Sequence, residues 1–255
     1  MERADSPKKI RLDQLLVNRG LVESRQKAKA IIMAGEVTVN GSREDKPGHT
    51  FYESSDISLK TASIPYVSRG GLKLEAAVDH FNIDVSNLTM LDIGASTGGF
   101  TDCLLQRGAK KVIAIDVGYG QFHWKLRQDS RVVLMEKTNA RYLSPGDIDR
   151  DINGAVIDVS FISLKLVIPA VSQLLPEESF IVALIKPQFE AGRDQVGKGG
   201  VIKDTVLHKK ITGEISDFCV SLGWNAEGVI PSPVLGPKGN REFLIYLNGQ
   251  TRTSE

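Results

Sequence analysis

The sequence predicts an α/β fold: a doubly wound, mainly parallel sheet preceded by a small α+β unit. Three observations carry this. Beyond residue 70, short runs rich in Val, Ile and Leu alternate with longer segments of helical periodicity, the pattern of strand–helix–strand units. A glycine-rich string, LDIGASTGGFTDCLL at residues 91–105, joins the first such run to a helical segment. Residues 8–60 have a different grain, with two short helical stretches and then a hairpin signal.

In the small unit, Leu12, Leu15 and Leu16 have the i, i+3, i+4 spacing of a buried helix face, closed by Gly20. A second helix starts at Ser24 as N-cap, packs through Ala28, Ile31 and Ile32, and stops at Gly35. Arg25 and Lys29 stand four apart and share one face of it. Val37-Thr38-Val39 followed by Asn40-Gly41 predicts a strand and a two-residue hairpin turn. Residues 61–70, with Pro65, Ser68 and Gly70, read as a linker, which sets domains at 1–60 and 71–255. In the larger domain, strands are predicted at 89–94, 112–117, 132–136, 155–159, 180–186, 226–231 and 242–247. Helices are predicted at 72–81, 99–107, 121–127, 164–174 and 205–222.

Composition narrows the field. Hydrophobic residues are 41% and charged residues 25% of 255, enough for a full core, so wholesale disorder and coiled coil drop out. Cys103 and Cys219 form no CxxC, and the four histidines share no ligand spacing. Neither a disulfide framework nor a metal centre is expected. The first residues lack the apolar core of a signal peptide, and Asp158 and Lys165 interrupt the most apolar stretch, 155–175. A cytoplasmic protein with no membrane span is expected, and a membrane-lysing role is not. The net charge of +1 names no partner. Its distribution says more, because residues 8–29 hold seven Lys and Arg against two acids. That run is either a nucleic-acid patch or a solvated helix face.

The glycine-rich turn points to a ligand. Gly94, Gly98 and Gly99 permit close backbone approach there, and Asp116 ends the second strand, where an acid can bond ribose hydroxyls. The G-x-x-x-G-G spacing departs from the dinucleotide fingerprint, which weakens a nicotinamide reading, and no GK[ST] follows. Such a turn can be a tight structural one; its pairing with Asp116 favours an adenosine-bearing cofactor. The stretch from Gly192 to Lys198 approaches a phosphate loop, but Gly199 stands where the magnesium-holding hydroxyl belongs. It reads as a glycine-rich loop beside the site. Four polar residues complete the pattern. Lys73 opens the helix after the linker, Asp158 ends the fourth strand, Lys186 ends the fifth, and Glu242 begins the last. If that last strand is antiparallel, its start lies level with the ends of the others. Singly each reads as a strand's return to solvent; beside a cofactor pocket they read as a catalytic set.

Residues 11–41, RLDQLLVNRGLVESRQKAKAIIMAGEVTVNG, resemble the ribosomal-protein-S4-like RNA-binding domain through RLDxLL, the Gly20 stop, Ser24-Arg25 and GxVxVNG. The resemblance implies that Arg11, Arg25, Lys27 and Lys29 meet RNA phosphates. DIGASTGGF resembles the first motif of the Rossmann-like S-adenosylmethionine-dependent methyltransferases. That implies S-adenosyl-L-methionine as cofactor, with Asp92, Gly94, Ala95, Ser96 and Gly98 along its methionine side. Asp116 then takes its ribose, and Asn139 contacts its adenine.

Lys73, Asp158, Lys186 and Glu242 resemble the Lys–Asp–Lys–Glu tetrad of FtsJ-like ribose 2′-O-methyltransferases. From Lys8 to Leu247 the chain is similar to the TlyA, or haemolysin A, family of ribosomal RNA methyltransferases. This resemblance implies methyl transfer to a ribose 2′-hydroxyl of ribosomal RNA, at a cytidine, with ribosomal RNA or ribosomal subunits as partners. Lys186 would accept or orient the ribose proton, Asp158 and Glu242 would position the lysines, and Lys73 would hold substrate or the developing oxyanion. No metal is required. An amino-group methyltransferase would carry Asn/Asp-Pro-Pro-aromatic where Asp158-Val159-Ser160-Phe161 stands, and both prolines are missing. An RNA-binding protein with a degenerate enzyme domain is the other alternative, which cofactor titration separates.

Overall fold

The structure is a computed structural model that describes residues 9–22, 24–59, 64–148, 151–192, 195–197 and 199–250. Lys8 of the basic run, residues 61–63 of the expected linker, and Arg193, Asp194 and Lys198 of the glycine-rich loop lie outside the described residues. The chain divides into two compact units, Met1–Ile64 and Pro65–Glu255.

In the small unit, β1 (Lys9–Arg11) runs straight into α1 (Leu12–Asn18). There follow α2 (Arg25–Met33), β2 (Val37–Val39), β3 (Ser42–Glu44), β4 (Thr50–Tyr52) and β5 (Ile57–Leu59). β2 pairs antiparallel with β3 and β5, and β1 with β4. Leu12, Leu16, Ala28, Ile32, Val37 and Val39 form its core, so the helix faces read from the sequence are the ones buried. The turn between Val39 and Ser42 places Asn40 at φ 51° and Gly41 at φ 78°, the paired left-handed conformation of a type I′ hairpin. β1, β4 and β5 have only three residues each, too few for alternation to show in sequence.

Asp13 is fully buried in this unit. Arg11 Nε lies 3.1 Å from its Oδ1 and Arg25 Nη2 lies 3.0 Å from its Oδ2. Burial works against the charged acid, but the Arg11 and Arg25 guanidiniums win and hold its carboxyl below the usual range. The ionised form is therefore favoured more in the folded chain than in the unfolded one. Its stabilisation is complete above about pH 4 and fades as pH falls below that value. Asp13→Asn is expected to destabilise the small unit by about 1–3 kcal/mol at neutral pH. Hydrogen exchange of the α1 amides should show that deficit shrinking below about pH 4.

The larger unit opens with α3 (Gly70–His80), β6 (Thr89–Ile93), α4 (Gly99–Gln106), β7 (Lys111–Ile115), α5 (Trp124–Arg127) and β8 (Val132–Met135). It continues with β9 (Gly154–Ile157), α6 (Leu164–Gln173), β10 (Phe180–Ile185), α7 (Pro187–Glu190), α8 (Thr205–Ser221), β11 (Trp224–Pro231) and β12 (Phe243–Gln250). The sheet order is β11-β12-β10-β9-β6-β7-β8. β8, β7, β6, β9 and β10 are parallel, and β12 lies antiparallel between β10 and β11. Both faces are covered, as expected of a doubly wound sheet. Leu91, Ile93, Ile115 and Ile157 pack with Leu164, Ile168, Ile211 and Ile215 of α6 and α8. Met90, Val112, Val156 and Leu184 pack on the other side with Leu74, Val78, Phe100 and Leu104 of α3 and α4.

From Pro65 onward, the stretch expected as a linker is held against α3 and α4. Gln106 Nε2 donates to the Pro65 carbonyl at 2.8 Å, and Val67 N donates to Asp102 Oδ2 at 2.7 Å. The Tyr66 hydroxyl donates to Glu75 Oε1 at 2.7 Å. The helix expected over 121–127 is a single turn, because the His123 side chain caps it by accepting from Lys125 N at 3.2 Å. The one-turn α7 was not foreseen.

Candidate active site

Parallel strands bind ligands at their carboxyl ends, where the chain order reverses across the sheet. Here β7 and β9 flank β6 on opposite sides, and the reversal lies between β6 and β9. Asp158 follows β9 and Lys186 follows β10. Because β12 is antiparallel, with Phe243 opposite Ile185, Glu242 arrives at the same edge from the other direction. Lys73 reaches that edge from the first turn of α3.

The four side chains form two pairs. Lys73 Nζ donates to Glu242 Oε2 at 2.6 Å. Lys186 Nζ forms an ion pair with Asp158 Oδ1 at 2.6 Å. Lys186 also donates to Ser160 Oγ at 2.8 Å. Lys73, Lys186 and Glu242 are buried, and Glu242 Oε1 has no hydrogen-bond partner among the described residues. Gly236 lies directly on that carboxylate, and a Cβ there would meet Oε1 at 2.0 Å. All four line a cavity of about 280 Å³ together with Gly94, Ala95 and Ser96.

A second cavity, of about 480 Å³, adjoins the first and shares Gly94, Ser96 and Asp158 with it. Asp116 and Asn139 line it with the apolar Ile115, Val117, Ile162 and Val167. Asp116 Oδ2 accepts from Ser96 N at 2.7 Å and Oδ1 accepts from Gly118 N at 2.6 Å. A carboxylate offers about four acceptor positions, so this one keeps room for two further donors. Asn139 Oδ1 caps the turn over Ala140–Tyr142 by accepting from Arg141 N at 3.1 Å.

Two of the residues expected along the cofactor stand off both cavity walls. Asp92 shares the alternation of Met90, so it faces α4, where its Oδ2 accepts from Thr101 Oγ1 at 2.6 Å. It is fully buried with Oδ1 unpartnered. Burial, reinforced by the charges of Asp158 and Asp116, pushes its carboxyl up to about 7. Gly98 turns toward Leu126 and Phe122, and a Cβ there would lie 2.4 Å from Leu126 Cδ1. Gly94 is required by the protein's own backbone, since its Cβ would lie 2.5 Å from the Asp158 carbonyl oxygen.

Sequence reasoning missed Ser160 and Phe161. Phe161 is 90% exposed, adopts φ 62°, and lines the larger cavity. An aromatic three residues past a strand-end acid was its only signal. In the small unit, Arg11 and Arg25 are half-exposed but engaged with Asp13, while Lys27 and Lys29 are exposed on α2. Among the described residues, no group of three or more His, Cys, Asp or Glu gathers as a metal site.

The sheet order, its antiparallel strand and the cleft at the reversal define a Rossmann-like methyltransferase. The FtsJ-like methyltransferase family matches residues 66–249, and the S4 domain matches residues 10–54. The chain belongs to the FtsJ-like methyltransferase family and carries an S4 domain at its N-terminus. It is 51% identical over 242 residues to Bacillus subtilis YqxC, a chain with an rRNA methyltransferase name, covering 94% of this chain and 86% of that one. It is 45% identical over 245 residues to the 16S/23S rRNA (cytidine-2′-O)-methyltransferase TlyA of Mycobacterium tuberculosis, covering 96% and 91%. A solved structure from Streptococcus thermophilus that carries a hemolysin name is 47% identical. Its TM-score is 0.76, over 96% of this chain and 90% of that one.

Asp92 yields a test of the site's electrostatics. Its carboxyl binds a proton more tightly folded than unfolded, so its contribution to stability falls as pH rises from about 4 to 7, then levels off. Asp92→Asn removes that slope. Denaturant unfolding at pH 4.5 and pH 8 should show the variant gaining about 2–4 kcal/mol relative to the parent across the interval.

Proposed function

We propose that this chain transfers a methyl group from S-adenosylmethionine to a ribose 2′-hydroxyl of ribosomal RNA, at a cytidine as its named relative does. The observation that carries this reading is the meeting of Lys186–Asp158 and Lys73–Glu242 in one cavity beside Gly94, Ala95 and Ser96.

The residues present fit the cofactor. The larger cavity lies within the roughly 300–1,000 Å³ of small-molecule sites. Asp116 has acceptor capacity left for two ribose hydroxyls, and apolar walls with Asn139 suit a purine. Gly94, Ala95 and Ser96, at the junction of the two cavities, would hold the methionine side. When bound, S-adenosylmethionine supplies an electrophilic methyl group on a sulfonium.

The chain's own residues handle the acceptor. Lys186 would take the proton that the ribose hydroxyl gives up as its oxygen displaces the thioether sulfur from the methyl group. The lysine must be neutral at that moment, a state open to lysine and closed to arginine. Asp158 and Ser160 aim Lys186. Lys73, held by Glu242, stabilises the developing negative charge on oxygen. Phe161 offers an exposed aromatic face on which a base can stack. Residues 1–60 would supply RNA affinity through Arg11, Arg25, Lys27 and Lys29, and residues 71–255 the chemistry. A ribosomal substrate goes with a cytoplasmic location, and among the described residues no helix is long and apolar enough to cross a membrane.

Incubation with labelled S-adenosylmethionine and separate small and large ribosomal subunits, followed by mapping of the label, tests the reading directly. Label on a ribose supports it; label on a base, or none on either subunit, overturns it. Calorimetry should show Asp116→Ala weakening cofactor binding by about 1–3 kcal/mol. Lys186→Arg should keep the fold and cofactor affinity yet lose methyl transfer by about 10²–10⁴-fold. A lysine that merely closes a strand would tolerate arginine with little change in rate.

A further inference from the structure

The loop after β9 and the turn after β10 are joined at three places. At one end, Lys186 reaches Asp158 and Ser160 at 2.6 and 2.8 Å. In the middle, the rings of Phe161 and Phe189 lie 4.9 Å apart. At the far end, Glu190 closes α7 and accepts from Ser163 Oγ at 2.5 Å and from Leu164 N at 2.8 Å.

That third junction has a specific chemistry. Leu164 N is one of the amides that an α-helix leaves unpaired at its start, and the helix dipole favours an anion there. Ser163 Oγ accepts from Lys165 N at 3.1 Å and donates to Glu190, so one carboxylate completes the cap of α6 from another element. Burial raises the carboxyl of Glu190, as expected for a charge taken partly out of water.

The loop between the junctions depends on them. Among the described residues, Val159, Ser160, Phe161 and Ile162 make no backbone hydrogen bond. Phe161 also holds φ 62°, a conformation that costs an aromatic residue energy unless its surroundings enforce it. On one side the loop is fixed by Asp158 N donating to the Ile93 carbonyl at 2.9 Å. On the other side it is fixed at Glu190.

We propose that Glu190 is a positioning residue for methyl transfer: by holding Ser163 and Leu164 it fixes the loop that presents Ser160 and Asp158 to Lys186. Glu190 lines neither cavity, and it acts through Ser160 and Asp158 rather than on substrate. The proposal rests on the role given to Lys186 above.

Glu190→Ala removes both acceptors. Glu190→Gln keeps an oxygen for the Leu164 amide and removes the charge. In steady-state methylation of ribosomal subunits, Glu190→Ala should lower kcat at least tenfold with KM for S-adenosylmethionine within twofold, and Glu190→Gln should recover at least half, but not all, of the logarithmic loss. Acetic anhydride labelling of the full chain, read at Lys186 by mass spectrometry, needs no RNA. Lys186 should react at least threefold faster in Glu190→Ala, with faster hydrogen exchange over 159–164. An unchanged kcat, or unchanged Lys186 labelling, overturns the proposal. If the parent protein methylates no ribosomal RNA, the functional reading falls, and the labelling arm still decides whether Glu190 positions Lys186. If Glu190→Ala does not fold, Glu190→Gln carries the comparison, with an intermediate effect expected in both arms and parental values overturning the proposal.

Discussion

Burying a lysine is costly unless an anion meets it, and the architecture of the larger unit is organised around meeting that demand twice. Lys73 and Lys186 are both withdrawn from water and each lies 2.6 Å from a carboxylate oxygen. Removing one partner of such a pair leaves an uncompensated charge and costs more than the pair contributes. Lys73 lies in α3, Asp158 and Lys186 directly follow β9 and β10, and Glu242 directly precedes β12, so correct assembly of both sides of the sheet is a condition for burying any of them. The antiparallel β12 is what makes this possible. A parallel strand in its place would put its first residue at the opposite edge, some 20 Å from Lys186 for a strand of about six residues.

The glycine-rich turn plays a part beyond the one its composition suggests. Glycines at such turns are usually explained by the approach of a ligand. Here Gly94 is pressed against the backbone of Asp158 and Val159, and Gly98 against Phe122 and Leu126. The turn after β6 therefore packs directly on the start of the loop that carries Asp158. Gly94 and Asp158, which line both cavities, are thus parts of a single packing contact.

Much of this was legible in the sequence because the strands are buried on both faces and read as continuous apolar runs. Asp158, Lys186 and Glu242 stood out as the charged residues bounding such runs. The small unit's helices were legible from Leu12, Leu15, Leu16, Ala28 and Ile32, whose spacing matches their burial. What sequence could not show depends on contacts between distant residues. Asp13 is one of two acids in the basic run of residues 8–29 and nothing in its spacing marks it, yet it is buried between Arg11 and Arg25. Ser160 and Glu190 are ordinary polar residues until β9 and β10 lie side by side. Asp92 is a different case: strand alternation alone turns it toward α4, and family likeness masked that plain geometric signal.

The order in which the site is written along the chain has a consequence for biogenesis. Glu242 follows Lys73 by 169 residues, and β12 must enter between β10 and β11 to deliver it. A chain growing from its N-terminus presents the small unit first, then Lys73, then Asp158 with Lys186. Until β12 arrives, one edge of β10 is unpaired and Lys73 lacks its anion. Such a nascent chain already has its S4 domain while the tetrad is still incomplete. The two units thus mature at separate moments, and the four-residue cluster closes only when β12 is in place.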